Sequence, residues 1–321
     1  MIIYYLAIAL FSFIVTLVLS HFLVPRLKRF GIVGKDVNKP DRPEVAEMGG
    51  IAIVAGFTAG MLLAIFFNSF GGLQFNLVFM LAAIIAIHSI SFIGMVDDLL
   101  DIPQWLKALL PLFAAIPLVA VKAAGSTTMA IPFFGVMDFG IVYIFLLIPF
   151  GIAVASNLTN MLAGFNGMES GMGIIIFAAT GLLAVMKGSV GLALISFSML
   201  GALLAFLRYN WFPARVFPGD VGNLTIGAAL AAGVIIGNLE TAGAILMAPY
   251  VVDFFIKAFN RFPSKGWWGE FRGGKLYPLE GKVRGFAQLV MKKANGISEQ
   301  NLVLFFIGLE VVFAIIVIIL F

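Results

Sequence analysis

The chain has 321 residues, of which 62% are hydrophobic and only 11% are charged, and its mean hydropathy is +1.09. Soluble domains carry about 25% charged residues, so this composition excludes a chain that folds in water. The absence of cysteine excludes disulfides, thiolate nucleophiles and cysteine-ligated zinc. With no folded soluble module, the formal charge of +4 does not indicate a nucleic-acid partner.

Apolar runs long enough to cross a membrane follow one another along the chain. A spanning helix needs about 20 mainly apolar residues. The predicted fold class is therefore all-α, a polytopic membrane protein with ten transmembrane helices in a single domain over residues 1–321. The predicted spans lie near 2–24, 50–68, 77–96, 106–122, 140–157, 170–187, 189–208, 224–237, 243–259 and 302–321. The first run lacks the features of a cleaved signal and is predicted to be a retained helix.

Lysine and arginine concentrate on one side of the predicted bilayer. If the spans alternate in direction, only Lys122 and Lys187 of the 20 basic residues fall on the opposite side. Cytoplasmic loops collect Lys and Arg, so the basic side is predicted to be cytoplasmic and to carry the active site. Acidic lipids and phosphorylated substrates are the expected partners of such a surface.

An acidic run follows the third predicted span. Asp97, Asp98 and Asp101 lie within five residues, and Lys107 comes shortly afterwards. Adjacent carboxylates repel each other unless a cation or a proton lies near, and Mg²⁺ prefers carboxylates combined with substrate phosphates. The alternative is a solvated helix cap in which Lys107 is a local ion-pair partner, and this segment alone leaves both interpretations open.

Amides and glycines cluster after the fifth predicted span, over residues 156–171. Asn157 and Asn160 lie three residues apart, on one face if the helix continues, where amide oxygens can bind an ion or a sugar hydroxyl. Gly164 and Gly167 let the backbone turn and approach a ligand closely. Asn-Gly is also an ordinary turn signal.

A second polar boundary precedes the eighth predicted span. Pro218-Gly219 predicts a turn that aims Asp220 away from the chain, at the start of a helix. A carboxylate is favoured there by the positive helix end, so N-capping is the alternative to a functional role. Capping explains Asp220 but not the neighbouring Arg215 and Phe217.

Two motif matches fail on context. Residues 269–275 have the spacing of a phosphate loop but lack the Ser or Thr that must follow, and no strand is predicted before them. The sequons at Asn157 and Asn223 match a glycosylation signal, yet both are predicted to be cytoplasmic.

In combination, these segments resemble the polyprenyl-phosphate N-acetylhexosamine-1-phosphate transferase family. The matching stretches, in chain order, are Asp36-Val37-Asn38-Lys39 with Glu47-Met48-Gly49-Gly50, Asp97-Asp98 with Lys107, Asn157 to Gly167, and Phe217-Pro218-Gly219-Asp220. They cover nearly the whole chain. Ala163-Gly164-Phe165-Asn166-Gly167 and the stretch from Asn210 to Phe217 are most similar to the archaeal and eukaryotic dolichyl-phosphate branch.

The resemblance implies transfer of N-acetylglucosamine 1-phosphate, or a related N-acetylhexosamine 1-phosphate, from a UDP-sugar to polyprenyl or dolichyl phosphate. UMP is released, and the reaction is the first step of lipid-linked oligosaccharide synthesis. The resemblance implies Mg²⁺ as cofactor, with Mn²⁺ as a substitute, and allows a homodimer. It implies catalytic roles for Asp97, Asp98 and Lys107, and metal-ligand roles for Asn160 and Asp220. The expected substrate-binding residues are Lys39, Glu47, Asn157, Gly164, Asn166, Arg215, Phe217, Arg272 and Lys275.

The cytoplasmic loop over residues 260–300 departs from the family pattern. Bacterial members carry a histidine-rich motif there and the eukaryotic enzyme an Arg-His-Arg, whereas this loop has no histidine. Its basic residues are expected to hold the pyrophosphate instead, and the candidates are Arg261, Lys265, Arg272, Lys275, Lys282 and Arg284. Residues 282–293 also predict a basic amphipathic helix at the membrane interface, with Trp267 and Trp268 at the same depth.

The mechanistic hypothesis is a one-step attack by the lipid phosphate on the β-phosphorus of the UDP-sugar. Asp97 would deprotonate or orient the acceptor, and Asp98 would bind Mg²⁺ or Lys107; a two-step route through a phospho-aspartate is the rival. The competing class is a transporter of a phosphorylated or nucleotide-linked solute, with discontinuous helices at breaks such as 217–227. Polar groups concentrated on one face favour the enzyme. An archaeal plasma membrane is the favoured location, and the endoplasmic reticulum membrane is the alternative.

Overall fold

The computed structural model describes residues 1–122, 125–131, 134–263 and 266–321. Its helices are α1 (Ile2–Arg29), α2 (Gly50–Phe70), α3 (Leu77–Leu100), α4 (Gln104–Ala114), α5 (Ile116–Lys122), α6 (Gly140–Val142), α7 (Ile148–Met161), α8 (Met168–Lys187), α9 (Val190–Asn210), α10 (Gly219–Gly237), α11 (Glu240–Leu246), α12 (Ala248–Phe259), α13 (Phe286–Lys293) and α14 (Glu299–Leu320). Three antiparallel hairpins join β1 (Val33–Lys35) to β2 (Glu44–Ala46), β3 (Thr128–Ile131) to β4 (Gly135–Asp138), and β5 (Gly269–Arg272) to β6 (Lys275–Pro278).

The described ranges contain nine helical segments that are long and apolar enough to cross a membrane. A tenth is present if α11 and α12 form one span bent by 59°. The prediction of a polytopic helical membrane protein is confirmed, whereas the count of ten depends on that bent pair.

Three predicted spans are not single straight α-helices. The fourth is divided at Ala115 into α4 and α5, and the fifth contains a π-helical stretch, Tyr143–Leu147, between α6 and α7. The ninth bends between α11 and α12, where Pro249 has no backbone N–H to continue the hydrogen-bond ladder. Apolar composition predicted that these segments cross the membrane but could not predict their breaks.

The all-α prediction is incomplete because it missed the three hairpins. The β5–β6 hairpin covers the segment that has the spacing of a phosphate loop, and its turn consists of Gly273 and Gly274, both with positive φ. The predicted helix over 282–293 is also shorter, since α13 begins only at Phe286 and Lys282, Val283 and Arg284 precede it.

Helix α10 lies at the centre of the bundle and packs against α3, α7, α9 and α2. Small residues allow these close crossings, as is usual in membranes. A Cβ on Gly50 of α2 would lie 2.2 Å from the backbone nitrogen of Gly222 in α10. A Cβ on Gly227 of α10 would lie 2.2 Å from the carbonyl oxygen of Ala155 in α7. These contacts fix the start of α10 against α2, α3 and α7, where the candidate site lies.

Candidate active site

A cavity of about 1100 Å³ opens where the ends of α4, α7, α10 and α12 meet the loops before α2 and after α7. One part of its wall is polar, and it includes the side chains of Lys35, Asp36, Glu47, Gln104, Lys107, Asn157, Asn160, Glu169, Asp220, Asn223 and Lys257. The other part is apolar and includes Trp105, Leu109, Leu112, Phe150, Val154, Phe254, Phe255 and Phe262. The cavity can therefore hold a ligand with a charged group at one end and an apolar chain at the other.

Lys107 lies between two carboxylates at the polar end of this cavity. Its ammonium nitrogen is 2.5 Å from a carboxylate oxygen of Asp97 and also contacts the carboxylate of Asp220. The second oxygen of Asp97 accepts the backbone N–H of Ile102 at 3.0 Å. Asp97 and Lys107 are largely buried, whereas the Asp220 side chain is 22% exposed. Of the three side chains, Lys107 and Asp220 line the cavity.

Asp98 caps the start of α10 from another helix. Its two carboxylate oxygens accept the backbone N–H groups of Asp220 at 2.7 Å and Val221 at 3.0 Å. A carboxylate is stabilised at the N-terminus of a helix by the unpaired amides and the helix dipole. The capping role considered for Asp220 thus belongs to Asp98, while the Asp220 side chain is directed to Lys107.

Glycine is required where the chain turns into α10. Gly219 has a φ of +67°, and a Cβ there would lie 2.6 Å from a carboxylate oxygen of Asp98. On the neighbouring helix, a Cβ on Gly94 would lie 2.6 Å from the carbonyl oxygen of Asp220. The backbone at Asp220 is therefore held by close contacts on two sides, which fixes its carboxylate relative to Lys107.

The amide side chains of α7 and α10 meet beside Asp220. The Nδ2 of Asn223 donates to Oδ1 of Asn160 at 3.1 Å, while Oδ1 of Asn223 is buried and has no hydrogen-bond partner in the described part of the chain. Asn157 also lines the cavity, and its Nδ2 donates to the Ala153 carbonyl oxygen at 2.8 Å. Asn223 was missed as a site residue, although its position three residues after Asp220 places it on the same helix face.

The oxygen atoms of Asp220, Asn160 and Asn223 are candidate ligands for Mg²⁺. The described residues contain no group of three or more His, Asp or Glu side chains arranged around one ion. Mg²⁺ is usually held by one or two carboxylates together with substrate phosphates. The Asp220 carboxylate, the Asn160 amide oxygen and the unpaired Asn223 amide oxygen fit that requirement.

The glycine-rich loop over residues 163–167 forms the next part of the wall. A Cβ on Gly164 would lie 2.2 Å from the ring of Trp267, so the indole packs directly on the loop. The backbone N–H of Gly164 donates to Glu169, and its carbonyl oxygen accepts Nδ2 of Asn38 at 3.0 Å. Trp267 is therefore part of the cavity wall.

Two residues expected to bind substrate lie behind this loop. Asn166 is 2% exposed, and its side chain bonds to Asp36 at 3.1 Å and to the backbone N–H of Ala214 at 2.8 Å. Lys39 pairs with Asp36 at 3.0 Å and also with Glu299. Neither residue lines the cavity in this structure.

Glu47 and Phe217 lie on the cavity wall, as expected of substrate-binding residues. The backbone N–H of Phe217 donates to the Ala46 carbonyl oxygen, and the Phe217 carbonyl oxygen accepts the N–H of Gly49, each at 2.8–2.9 Å. These two hydrogen bonds hold the segment that contains Glu47 beside the segment that contains Phe217. Burial, and then the nearby negative charge of Asp98, raise the pKa of Glu47 above its ordinary value of 4.5.

Three basic residues expected to bind substrate lie outside the cavity. Arg215 is exposed after α9. Arg272 and Lys275 flank the exposed turn of the β5–β6 hairpin, and Arg272 forms an ion pair with Glu270 at 2.7 Å. Of the other candidates in the same loop, Lys282 and Arg284 pair with Glu280 at 3.0 Å, and Lys265 lies outside the described residues. None of the lysine and arginine residues between positions 270 and 284 therefore lines the cavity.

Three further acidic residues, Asp101, Asp253 and Glu310, lie outside the cluster of Asp97, Lys107 and Asp220. Asp101 ends α3 in the left-handed conformation, with a φ of +49°. Asp253 forms an ion pair with Lys257 at 2.8 Å, and Lys257 also lines the cavity and donates to the Met161 carbonyl oxygen. Glu310 is fully buried in α14, and neither carboxylate oxygen has a hydrogen-bond partner among the described residues.

Comparisons with known proteins identify the family of the chain. A family model described as glycosyl transferase family 4 matches residues 78–238. The chain is 37% identical over 97% of its length to a protein of Saccharolobus solfataricus, provisionally named a UDP-N-acetylglucosamine–dolichyl-phosphate N-acetylglucosaminephosphotransferase, and covers 95% of that protein. A protein of the same provisional name from Sulfolobus acidocaldarius is 33% identical, with coverages of 96% and 93%. The phospho-N-acetylmuramoyl-pentapeptide-transferase of Clostridium perfringens is 28% identical, with coverages of 75% and 78%.

Proposed function

Because the chain belongs to glycosyl transferase family 4, we propose that it transfers N-acetylglucosamine 1-phosphate from UDP-N-acetylglucosamine to a polyprenyl or dolichyl phosphate. UMP is the second product. The names of the two archaeal relatives described above support this donor and acceptor, and the many apolar helices support an acceptor that is held in a membrane. Neither relative's name supports the alternative of a membrane transporter.

The observation that carries the proposal is the position of Lys107. Its ammonium group lies between two carboxylates where the polar wall of the cavity meets the apolar wall beginning at Trp105 and Leu109. Phosphoryl transfer depends mainly on positioning and on neutralising the charge of the phosphates. A cation held at this junction can neutralise reacting phosphates while an isoprenoid chain extends along the apolar wall.

In this proposal the donor occupies the polar end of the cavity. The nucleoside lies against the loop over residues 163–167 and the ring of Phe217, since these surfaces are adjacent to Glu47 on the same wall. The diphosphate then reaches Lys107 and Asp220. Lys39 and Asn166, which bond to protein groups behind the loop, support this wall and do not contact the donor.

The acceptor approaches from the apolar wall. A phosphate oxygen of the lipid attacks the β-phosphorus of the donor, the bond from that phosphorus to the bridging oxygen breaks, and UMP leaves. Asp97 orients Lys107 toward this centre, and Asp98 positions Asp220 by capping α10. Asp98 therefore acts as a positioning residue, because both its oxygens are occupied by backbone amides.

Asp220, Asn160 and Asn223 are the residues that would hold Mg²⁺, with Mn²⁺ as a substitute. When bound, the ion would neutralise diphosphate oxygens, which lowers the barrier to attack by an anionic acceptor. The orphaned amide oxygen of Asn223 supports this assignment, since a buried acceptor without a partner is costly.

The cytoplasmic side remains the proposed location of the cavity, on the basis of the positive-inside distribution of Lys and Arg. The loops that surround the cavity are those predicted to carry the basic residues. A plasma membrane of an archaeon is the proposed setting, because both relatives named for this reaction are archaeal.

The test is transfer by the detergent-purified protein with dolichyl phosphate, Mg²⁺ and UDP-N-acetylglucosamine. UMP release and a lipid-linked sugar diphosphate, identified by mass spectrometry, are expected. UDP-N-acetylgalactosamine and UDP-glucose define the sugar specificity, and omission of the lipid phosphate is the control. Failure to form UMP from any donor, combined with uptake of intact UDP-sugar into proteoliposomes, would replace the enzyme with the transporter.

A further inference from the structure

Glu299, the first residue of α14, lies in a buried charge network behind the cavity. Its side chain is only 4% exposed. One carboxylate oxygen accepts the backbone N–H of Asn166 at 2.8 Å, and the other pairs with Lys39. The residue therefore connects the last helix to two loops that are about 130 and 260 positions away along the chain.

Lys39 supplies the cation of this network. Its ammonium group pairs with Asp36 as well as with Glu299, and it lies 4.5 Å from the centre of the Phe212 ring. Two buried carboxylates thus share one cation. A buried carboxylate deprived of its cation is strongly destabilised, so the two side chains depend on each other.

The network holds the part of the loop that faces the cavity. Asn166 is bonded through its backbone N–H to Glu299, through its amide nitrogen to Asp36, and through its amide oxygen to Ala214. Directly before it, Gly164 and Phe165 line the cavity, and so does Asp36. Any shift of Asn166 would therefore move the surface on which a ligand rests.

We propose that Glu299 is a positioning residue for the nucleotide of the donor: it fixes the loop over residues 163–167 through Asn166 and orders the neighbouring loop through Lys39. This inference rests on the proposed function, because it identifies the ligand of the loop as the UDP-sugar. Glu299 does not contact the reacting phosphates in this proposal, because it lies behind the cavity wall and does not line the cavity.

The variants E299A, E299Q and K39M test the proposal. E299A leaves the Asn166 N–H without its acceptor, and we expect the KM for UDP-N-acetylglucosamine to rise about tenfold, which corresponds to the loss of one charge-assisted hydrogen bond. The kcat and the KM for dolichyl phosphate should change little. E280Q is the matched control, because Glu280 is an exposed carboxylate that also pairs with basic residues.

Charge rescue distinguishes positioning from a general loss of structure. E299Q keeps an acceptor for Asn166 but places an amide beside Lys39, and K39M leaves two carboxylates without their cation. We expect the double variant E299Q/K39M to bind donor more tightly than K39M alone, and this variant keeps the test available if E299A does not fold.

Binding of UDP, measured by calorimetry without acceptor, separates the inference from the proposed reaction. Weaker UDP binding by E299A together with normal dolichyl-phosphate kinetics supports the inference. Wild-type affinity for UDP in folded E299A would overturn it, even if the wild-type enzyme transfers the sugar phosphate. If the wild-type protein binds UDP but forms no UMP, the proposed reaction fails, whereas loss of UDP binding in E299A still supports the role of the loop.

Discussion

The fourth predicted span carries a buried lysine near each end, and the two lysines have different surroundings. Lys107 contacts two carboxylates and lines the cavity. Lys122 is 2% exposed, donates to the Asn238 amide oxygen, and lies 5.7 Å from the centre of the Tyr143 ring. Tyr143 in turn donates to Glu240. Both lysines are therefore buried beside polar groups. They differ in access to the cavity: Lys107 lines it and is the catalytic candidate, whereas Lys122 only joins helices.

The largest expected effect is a difference in kcat between the variants in which each of these two lysines is replaced by methionine. K107M should lower kcat about 10³-fold, because a preorganised charge at the reacting centre is lost. K122M should keep a kcat close to wild type but unfold at a lower temperature, because the Asn238 amide oxygen loses its buried partner. UMP release and thermal unfolding in detergent provide both measurements. Equal losses of kcat in the two variants would contradict the proposed distinction.

The cap of α10 should have the next largest effect. D98A removes an N-terminal cap, which costs about 1 kcal/mol of stability, and it frees the backbone that positions Asp220. We expect kcat to fall about 10²-fold, as when a reacting group is displaced by about 1 Å. D101N is the control, since Asp101 is exposed at the end of α3. If D98A lowered stability but left kcat unchanged, Asp98 would be a cap without influence on Asp220.

The amide pair beside Asp220 should affect metal dependence. N223A and N160A are each expected to raise the Mg²⁺ concentration needed for half-maximal UMP release by about tenfold. Direct Mn²⁺ binding, followed by electron paramagnetic resonance, should weaken in parallel. N260A removes an exposed amide at the end of α12 that donates to the Ile256 carbonyl oxygen, and it should change neither measurement. Unchanged Mn²⁺ affinity in both variants would remove the amides from the metal site.

The smallest expected effect concerns the pH dependence of stability. Because burial raises the pKa of Glu47 in the folded chain, the folded state holds this proton more tightly than the unfolded state. Below the unfolded value both states are protonated and Glu47 has no effect; as pH rises, its ionisation penalises the folded state. The melting temperature of E47Q should thus exceed that of the wild type by an amount that grows as the pH rises above about 4.5.

The exposed neighbour Glu44 provides the comparison for this measurement, because E44Q should show no such trend. A difference between E47Q and wild type that is independent of pH would mean that Glu47 is ionised equally easily in both states.

Much of the site could be predicted from local sequence. Asp220 follows a Pro-Gly turn and Asn160 lies in a polar boundary between apolar runs, so both were recognisable as candidates from the residues, whereas Glu47 was expected only from the family resemblance. The structure places these three on the cavity wall. Asn223 was available from the same pattern through its spacing from Asp220. Glu299 was not, because nothing in the first turn of an apolar helix indicates a partner 133 residues away.

Basic residues were the poorest part of the prediction, and the reason is physical. A long, flexible lysine or arginine side chain can satisfy its charge with many different partners, so its position in the sequence does not define its contact. Lys39 bonds to Asp36 and Glu299, and Arg272 to Glu270. Neither lines the cavity, although the family resemblance placed both among the substrate-binding residues.

The sequence by itself determined that the chain is a helical membrane protein and which segments are polar enough to form a site. Both properties follow from hydropathy, which is local. Only the tertiary structure decided that Lys107 pairs with Asp97 and Asp220, that Asp98 caps α10, and that the spans bend where they do. These features depend on how helices far apart in sequence pack together, and the glycines at their crossings permit that packing without specifying the partner.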